Sequence, residues 1–175
     1  MTSRPADAEF APYFSRYISL VSENDVFAVL GNQPAELARL ASRVAPDRER
    51  FRYAAGKWTI REVFGHLTDV ERVFSYRAFC ISRGEKAPLP SFDENDYVAH
   101  SRYNDHGLGD LLSEFTAVRE ASLMFLRRAE NDAWERLGTA GDHPTSVRAM
   151  AYIMAGHVRH HIAVLRDRYG ILPGS

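Results

Sequence analysis

Four long stretches of this chain carry apolar residues at the three- and four-residue spacing of a helix that buries one face. They cover residues 59–83, 108–129 and 145–169, together with a fourth stretch that is interrupted between residues 30 and 35. No segment of strand length alternates apolar and polar residues, and no internal repeat is present. Four such helices joined by loops of varied length predict an all-α fold, a four-helix bundle.

Local signals indicate where these helices begin and where one of them is interrupted. Thr59 and Glu62 form a capping-box pattern, in which the hydroxyl caps a backbone amide and the carboxylate reaches back. Pro34 has no amide hydrogen to donate inside a helix. The fourth stretch is therefore predicted to kink or break, giving residues 25–30 and then residues 35–44.

The remaining segments are predicted to connect these helices within one domain that spans residues 1–175. Residues 1–20 form an N-terminal extension that contains a short helix between residues 12 and 20. Residues 92–102 are expected to form a short helix across one end of the bundle. Residues 138–144, from Gly138 to Pro144, are expected to form a loop.

The composition excludes several classes of protein. The chain has 22 Lys and Arg against 23 Asp and Glu, a formal net charge of -1, and so lacks the basic excess of a nucleic-acid-binding protein. No apolar run approaches the roughly 20 residues of a membrane span, and the N-terminus lacks the apolar core of an export signal. Cys80 is the single cysteine, which precludes an intramolecular disulfide. We therefore expect a cytoplasmic protein without nucleic-acid or membrane partners.

Three histidines are predicted to face the interior of the bundle. His157 and His161 lie one turn apart in the segment GHVRHH, so both project from the same helix face. His66 lies in phase with the apolar residues of its own helix. Neighbouring buried imidazoles repel one another when charged and need partners when neutral, and a divalent cation satisfies both requirements. The residues thus favour a metal site, with hydrogen-bonded core histidines as the alternative.

The other histidines and the carboxylates near His66 are not predicted to be metal ligands. His160 points about 100° away from His161 on the helix, so it flanks the site or faces a partner chain and is not counted as a ligand. Asp69 and Glu62 each lie one turn from His66, where they either orient the imidazole or remain exposed charges, and we expect exposure. Three further histidines are expected at the surface: His100, His106 and His143.

Arg77 lies three turns beyond His66 on roughly the same helix face. It either binds an anionic substrate or forms an ion pair with Asp93 or Asp96 that closes one end of the bundle. Of these two roles, we expect the ion pair.

A glycine precedes two of the three candidate ligands, Gly65 before His66 and Gly156 before His157. Glycine inside a helix costs about 1 kcal/mol relative to alanine. Its presence indicates close approach of backbone or ligand, either around a metal cavity or through ordinary helix packing.

Several segments of the chain resemble the DinB-like superfamily, bundle proteins that include YfiT-like metal-dependent hydrolases and thiol transferases. The resembling segments are GKWTIREV at 56–63, GHLTDVER at 65–72, FDENDY at 92–97 and GHVRHHI at 156–162. A Trp-Thr pair, followed eight residues after the tryptophan by histidine and later by a distant HxxxH pattern, is specific as a combination. The similarity extends over most of the chain, from about residue 21 to residue 169.

The resemblance implies an up-down-down-up four-helix bundle with a divalent metal ion at one end. Carried over by position, the metal ligands are His66, His157 and His161, with water at the remaining coordination positions. Zinc or nickel is the expected metal, and iron or manganese also accept three imidazoles. The family also implies a homodimer, and it implies that Trp58 anchors the ligand-bearing helix.

The sequence is compatible with several classes of function. The leading expectation is a metal-dependent S-transferase that uses a low-molecular-weight thiol and acts on a small-molecule substrate. The alternatives are a metal-dependent hydrolase and a non-enzymatic metal-binding or sensing module. No catalytic residue is assigned from the sequence.

Overall fold

Helices form nearly all of the regular structure of this protein. The computed structural model describes residues 3–172. The helices of that range are α1 (Ser15–Ile18), α2 (Val26–Ala41), α3 (Ile60–Ser82), α4 (Glu94–Ala99), α5 (Leu108–Arg127), α6 (Asn131–Glu135) and α7 (Val147–Asp167). Single 3-10 turns lie at Asp7–Glu9, Pro12–Phe14, Pro46–Arg48 and Tyr103–Asp105. Two short strands, β1 (Leu137–Ala140) and β2 (His143–Ser146), complete the fold.

The four long helices α2, α3, α5 and α7 form an up-down-down-up four-helix bundle, which confirms the predicted fold class. α3 packs against α5 and α7, and α2 packs against the same two helices. The short helix α1 packs on α7. Between residues 3 and 172, no helix combines the length and the apolar character needed to cross a membrane.

Side-chain caps fix where the two histidine-bearing helices begin. The Thr59 hydroxyl accepts a hydrogen bond from the amide of Glu62 at 3.1 Å, and the Glu62 carboxylate accepts one from the amide of Thr59 at 2.7 Å. This confirms the predicted capping box at the start of α3. The Ser146 hydroxyl accepts a hydrogen bond from the amide of Ala149 at 3.0 Å and caps α7.

Of the kink or break predicted at Pro34, the break is wrong, because α2 continues through this residue from Val26 to Ala41. Proline leaves the carbonyl four residues earlier without its usual amide donor. That carbonyl, on Leu30, accepts a hydrogen bond of 3.0 Å from Nη1 of Arg119 on α5. Arg119 is fully buried. A buried side chain from another helix thus replaces the hydrogen bond that proline removes.

The segment predicted as a loop at residues 138–144 instead contributes to an antiparallel hairpin of β1 and β2. Gly141 has φ +62° in the two-residue turn, a conformation that suits glycine. The amide of Leu89 donates to the carbonyl of Thr139 at 2.8 Å, and the amide of Gly141 donates to the carbonyl of Leu89 at 2.8 Å. Four-residue strands are too short to give an alternation signal in the sequence. The hydrogen bonds that hold this hairpin in place come from Leu89, which is distant in sequence.

The apolar interior forms two clusters along the length of the bundle. The boundary between them falls between Leu67 and Val70 on α3 and between Ala155 and Val158 on α7. The predicted metal ligands of both helices lie beside this boundary. Polar side chains placed there interrupt the apolar packing and need polar partners of their own.

Candidate metal centre

Three imidazoles from two helices converge inside the bundle. Nε2 of His157 lies 3.1 Å from Nε2 of His66 and 3.1 Å from Nε2 of His161. One ring nitrogen from each histidine lies within 4.8 Å of the other two. His66, His157 and His161 are 4%, 5% and 9% exposed, respectively. The structure therefore brings together all three residues that the sequence singled out, from segments 91 residues apart.

Hydrogen bonds within this group leave a nitrogen unsatisfied. Nε2 of a neutral His157 carries either one proton or one lone pair, so it forms one good hydrogen bond although two ring nitrogens lie beside it. Nδ1 of His161 is also buried, with no hydrogen-bond partner among the described residues. Metal–nitrogen bonds of about 2.0–2.1 Å at angles between roughly 90° and 109° place nitrogens about 2.9–3.4 Å apart. The two 3.1 Å separations fall in this range, and the ligand atoms of all three histidines lie within 4.8 Å of one another, so the donor set can hold a divalent cation.

Burial favours the neutral form of all three imidazoles. Desolvation lowers the pKa of His66 to about 4, with a smaller contribution from His160. Desolvation also lowers the pKa of His157 and of His161 well below the usual value, and neighbouring imidazoles add to the effect. A neutral imidazole keeps a lone pair available for a metal, so these residues need no deprotonation at neutral pH.

A cavity of about 440 Å³ borders the three rings and connects them with solvent. The Trp58 ring lies 4.6 Å from the His66 ring between centroids, and the Tyr17 ring lies 5.3 Å from the His157 ring. Six aromatic side chains form much of the wall: Tyr13, Phe14, Tyr17, Trp58, Phe74 and Phe92. A small molecule in this cavity would lie against the imidazoles and between apolar rings.

The predicted ion pair of Arg77 with Asp93 or Asp96 is wrong. Arg77 is 6% exposed and its Nη2 donates to the carbonyl of Pro90. Burial lowers the pKa of its guanidinium. Asp93 instead accepts hydrogen bonds from the amides at positions 95 and 96 and caps α4. The carboxylate is used locally by the helix terminus, which leaves Arg77 on the cavity wall.

Asp69 and Glu62 do not contact an imidazole, and both are half-buried where exposure was expected. Burial raises the pKa of Asp69, and a hydrogen bond with Tyr103 opposes that shift. Glu62 accepts from the amide of Thr59 and, at 2.8 Å, from the side-chain amide of Asn104. Glu62 thus fixes the start of α3 and Asn104 beside it, and Asp69 is paired with Tyr103 rather than with a histidine ring.

The other histidines take different positions around the cavity. His160 is half-buried and packs edge-on against Tyr17, at 5.4 Å between ring centroids, and it lines the cavity beside the three convergent imidazoles. His100 and His106 are exposed, as predicted. His143 is exposed but belongs to the wall of the cavity, because the β-hairpin carries it there.

The two glycines that precede the ligands serve close packing, one of the two alternatives left open by the sequence. A Cβ atom on Gly156 would lie 2.0 Å from the carbonyl oxygen of Tyr17, and one on Gly65 would lie 2.3 Å from the ring of Tyr103. Gly156 thereby allows α1 to approach α7, which places the ring of Tyr17 beside His157.

The contribution of α1 to the cavity was missed in the sequence. Phe14, Arg16 and Tyr17 belong to the segment treated as an N-terminal extension, yet all three line the cavity. The available signal was a concentration of aromatic residues at helical spacing, Tyr13, Phe14 and Tyr17. Such a pattern indicates burial of one face but does not identify the partner helix.

Comparisons with known proteins agree with this architecture. The family model described as the DinB superfamily matches residues 30–165. A similar solved structure is YfiT from Bacillus subtilis, described as a probable metal-dependent hydrolase with an unusual four-helix bundle topology. It has a TM-score of 0.75 and 19% identity, and the match covers 96% of this chain and 94% of that chain.

A second similar structure is the mycothiol-dependent maleylpyruvate isomerase, with a TM-score of 0.65 and 14% identity. This match covers 79% of the present chain and 58% of that chain. No curated protein sequence matches the chain. At these identities the likeness to the two solved structures shows a shared fold.

Proposed function

The chain belongs to the DinB superfamily, and on that premise we propose that it is a divalent-metal-dependent S-transferase that uses a low-molecular-weight thiol. The convergence of three buried imidazoles beside an open cavity carries the proposal. The second substrate is a small electrophilic molecule that enters the same cavity. The metal is zinc or nickel, with iron or manganese as further candidates, because each accepts three imidazoles and leaves coordination positions free.

The residues of the chain hold, orient and shield the reacting groups. His66, His157 and His161 would hold the cation through Nε2, since these three nitrogens converge inside the bundle. A divalent cation held there supplies Lewis acidity, which lowers the pKa of a thiol or water bound beside the imidazoles. Trp58 and Tyr17 pack on the imidazoles and limit the access of bulk water to that side.

The scarcity of carboxylates around the cavity favours a thiol over water as the nucleophile. Among the described residues, Glu94 is the only Asp or Glu on the cavity wall, and it is exposed. Attack by water benefits from a general base within hydrogen-bond reach, whereas a thiol with its lower pKa needs less help. This distribution supports transfer of a thiol ahead of hydrolysis.

In the proposed reaction the thiol sulfur forms a bond with an electrophilic carbon of the second substrate. The bond from that carbon to the leaving group breaks, and its electron pair departs with the leaving group. The thiol proton passes to solvent through the open side of the cavity. Atoms and electrons balance without an oxidant or a reductant.

The test compares metal-loaded and metal-free protein with bacillithiol, mycothiol or glutathione and the electrophile 1-chloro-2,4-dinitrobenzene. We expect thioether formation and chloride release that require both the metal and one of the thiols. His66→Ala should abolish this turnover, and His100→Ala should retain it because His100 is exposed and does not line the cavity. Absence of metal-dependent turnover with all three thiols would contradict the proposal.

Hydrolysis by the same centre is the second candidate function, and the three imidazoles with free coordination positions support it equally well. Cleavage of p-nitrophenyl acetate by the metal-loaded protein without added thiol would favour it. Stoichiometric metal without turnover of either kind would favour a metal-binding or sensing module.

The proposal includes two properties of the protein in the cell. A free-thiol co-substrate requires a reducing compartment, which accords with a cytoplasmic location and with the single cysteine. We also propose a homodimer on the basis of the family, and light scattering of the purified protein tests this stoichiometry.

A further inference from the structure

Two guanidinium groups line the cavity above the imidazoles without a carboxylate partner. They belong to Arg16 on α1 and Arg77 on α3. Ion pairs in the described part of the chain involve other arginines, and neither of these two takes part in one. Both groups therefore bring positive charge to one small space.

Arg77 is the more deeply buried of the two, at 6% exposure. The structure records one hydrogen bond from its side chain, from Nη2 to the carbonyl of Pro90. A guanidinium has five N–H donors, so most of its hydrogen-bonding capacity is not met by the protein. Burial of a charge is costly unless a partner of opposite charge is present. A ligand with a negative charge would supply the missing partner.

Arg77 is connected to the imidazoles through contacts with aromatic rings. Its Cζ atom lies 5.6 Å from the centroid of the Phe74 ring, three residues earlier on α3, and 5.5 Å from the centroid of Phe92. The Phe74 ring in turn lies 6.5 Å from the ring of His157. The Phe74 ring thus neighbours both the guanidinium of Arg77 and the imidazole of His157.

Arg16 approaches the same space from the other wall. Its Nη2 donates to the hydroxyl of Tyr17 at 2.7 Å and also to the hydroxyl of Tyr13. Its Cζ atom lies 3.8 Å from the centroid of the Tyr13 ring and 4.6 Å from that of Tyr17. These rings hold an exposed arginine beside the mouth of the cavity, where it adds to the positive potential.

We propose that the cavity recognises an organic carboxylate, whose anionic group binds Arg77 and whose apolar body lies against Phe74 and Phe92. The planar guanidinium matches a carboxylate in two parallel hydrogen bonds, which a neutral amide does not reproduce. Arg16 attracts the anion at the entrance, and Arg77 fixes its orientation. This inference rests on the proposed function in assigning the cavity to the substrate, and it names the class of that substrate.

The test measures binding of phenylacetate and of its neutral analogue phenylacetamide to metal-free protein by calorimetry at low ionic strength. Metal-free protein separates this inference from the proposed reaction, because neither thiol transfer nor a cation contributes. We expect wild-type protein to bind phenylacetate at least about tenfold more tightly than the amide, as one charge-assisted contact predicts. Arg77→Met should reduce that preference by about tenfold or more.

Arg83→Met is the matched control, because Arg83 lies at the end of the same helix, is exposed and lies outside this cavity. It should keep the preference of the wild-type protein. Arg16→Met provides an exposed second variant should Arg77→Met not fold, and it should weaken phenylacetate binding several-fold without affecting the amide. Equal affinity of wild-type protein for the two compounds, absence of phenylacetate binding, or an unchanged preference in the folded arginine variants would overturn the inference.

Discussion

Arg119 and Glu71 form a two-point ion pair in the interior of the bundle, with 2.8 Å between Nε and Oε1 and 2.7 Å between Nη2 and Oε2. Nη1 of the same arginine donates to Oε1 of Gln33 at 2.6 Å. Gln33 in turn donates to the carbonyl of Ala155 at 2.6 Å. One set of buried polar contacts therefore joins all four long helices, and it reaches α7 two residues before His157.

This set of contacts predicts a large stability effect from a single substitution. Arg119→Met leaves the carboxylate of Glu71 buried without its partner, and we expect the free energy of unfolding to fall by about 3–5 kcal/mol. Arg72→Met removes the exposed pair with Glu114 and should change stability by less than about 1 kcal/mol. Urea unfolding followed by circular dichroism measures both. Similar effects of the two variants would show that the buried pair contributes no more than a surface one.

The geometry of the imidazoles predicts which substitutions remove the metal. Alanine at His66, His157 or His161 should weaken metal binding by more than the 10–100-fold typical for loss of a residue that only supports a ligand. His160→Ala should retain most of the metal, because its ring lies beside the group without joining it. Elemental analysis of purified variants gives the metal content per chain. A full equivalent of metal in His157→Ala would contradict the assignment.

The lowered pKa of His66 predicts how metal-free protein responds to acid. The pKa is about 4 in the folded protein against 6.5 for the ordinary group, so the unfolded chain binds more protons between these values. The contribution of this residue to stability is present above pH 6.5 and is lost as the pH falls towards 4, by about 3 kcal/mol.

Urea unfolding of chelator-treated protein across this pH range measures the effect. His66→Gln does not titrate at this position, and its free energy of unfolding should decline less steeply between pH 6.5 and 4. Identical pH profiles for the variant and the wild-type protein would indicate that His66 is not held in its neutral form by burial.

Close packing at Gly156 predicts that even one added methyl group is destabilising. The Cβ atom of Gly156→Ala would lie 2.0 Å from the carbonyl oxygen of Tyr17, a backbone atom that moves only if α1 moves. We expect the free energy of unfolding to fall by about 1–3 kcal/mol. Gly31→Ala on α2 is the matched control, because no atom lies within 4 Å of a Cβ atom at this position. Alanine there should raise the free energy of unfolding by up to about 1 kcal/mol. Thermal unfolding should show a lower midpoint for Gly156→Ala and an unchanged or higher one for Gly31→Ala. Stabilisation by Gly156→Ala would contradict the close packing.

The long helices and the facing of the histidines could be predicted because both depend on local patterns. The spacing of apolar residues placed α3 and α7 close to their observed bounds, and the capping box at Thr59 agreed with the observed hydrogen bonds. His157 and His161 lie one turn apart, so the helix alone fixes them on one face. The inward position of His66 followed from its phase with the apolar residues of its own helix. That all three histidines bind one metal ion was favoured by the residues, and the full ligand set was implied by the resemblance to the DinB-like superfamily.

What the sequence determined by itself was thus the set of helices and the residues able to hold a metal, since helical periodicity and caps act within a few residues. Only the tertiary structure decided that Arg119 completes α2 across Pro34, that Arg77 stays without a carboxylate, and that α1 forms a wall of the cavity. Each of these outcomes depends on which buried partner lies nearest in space. That choice is made when helices pack, because the cost of a buried unpaired polar group depends on every neighbour at once.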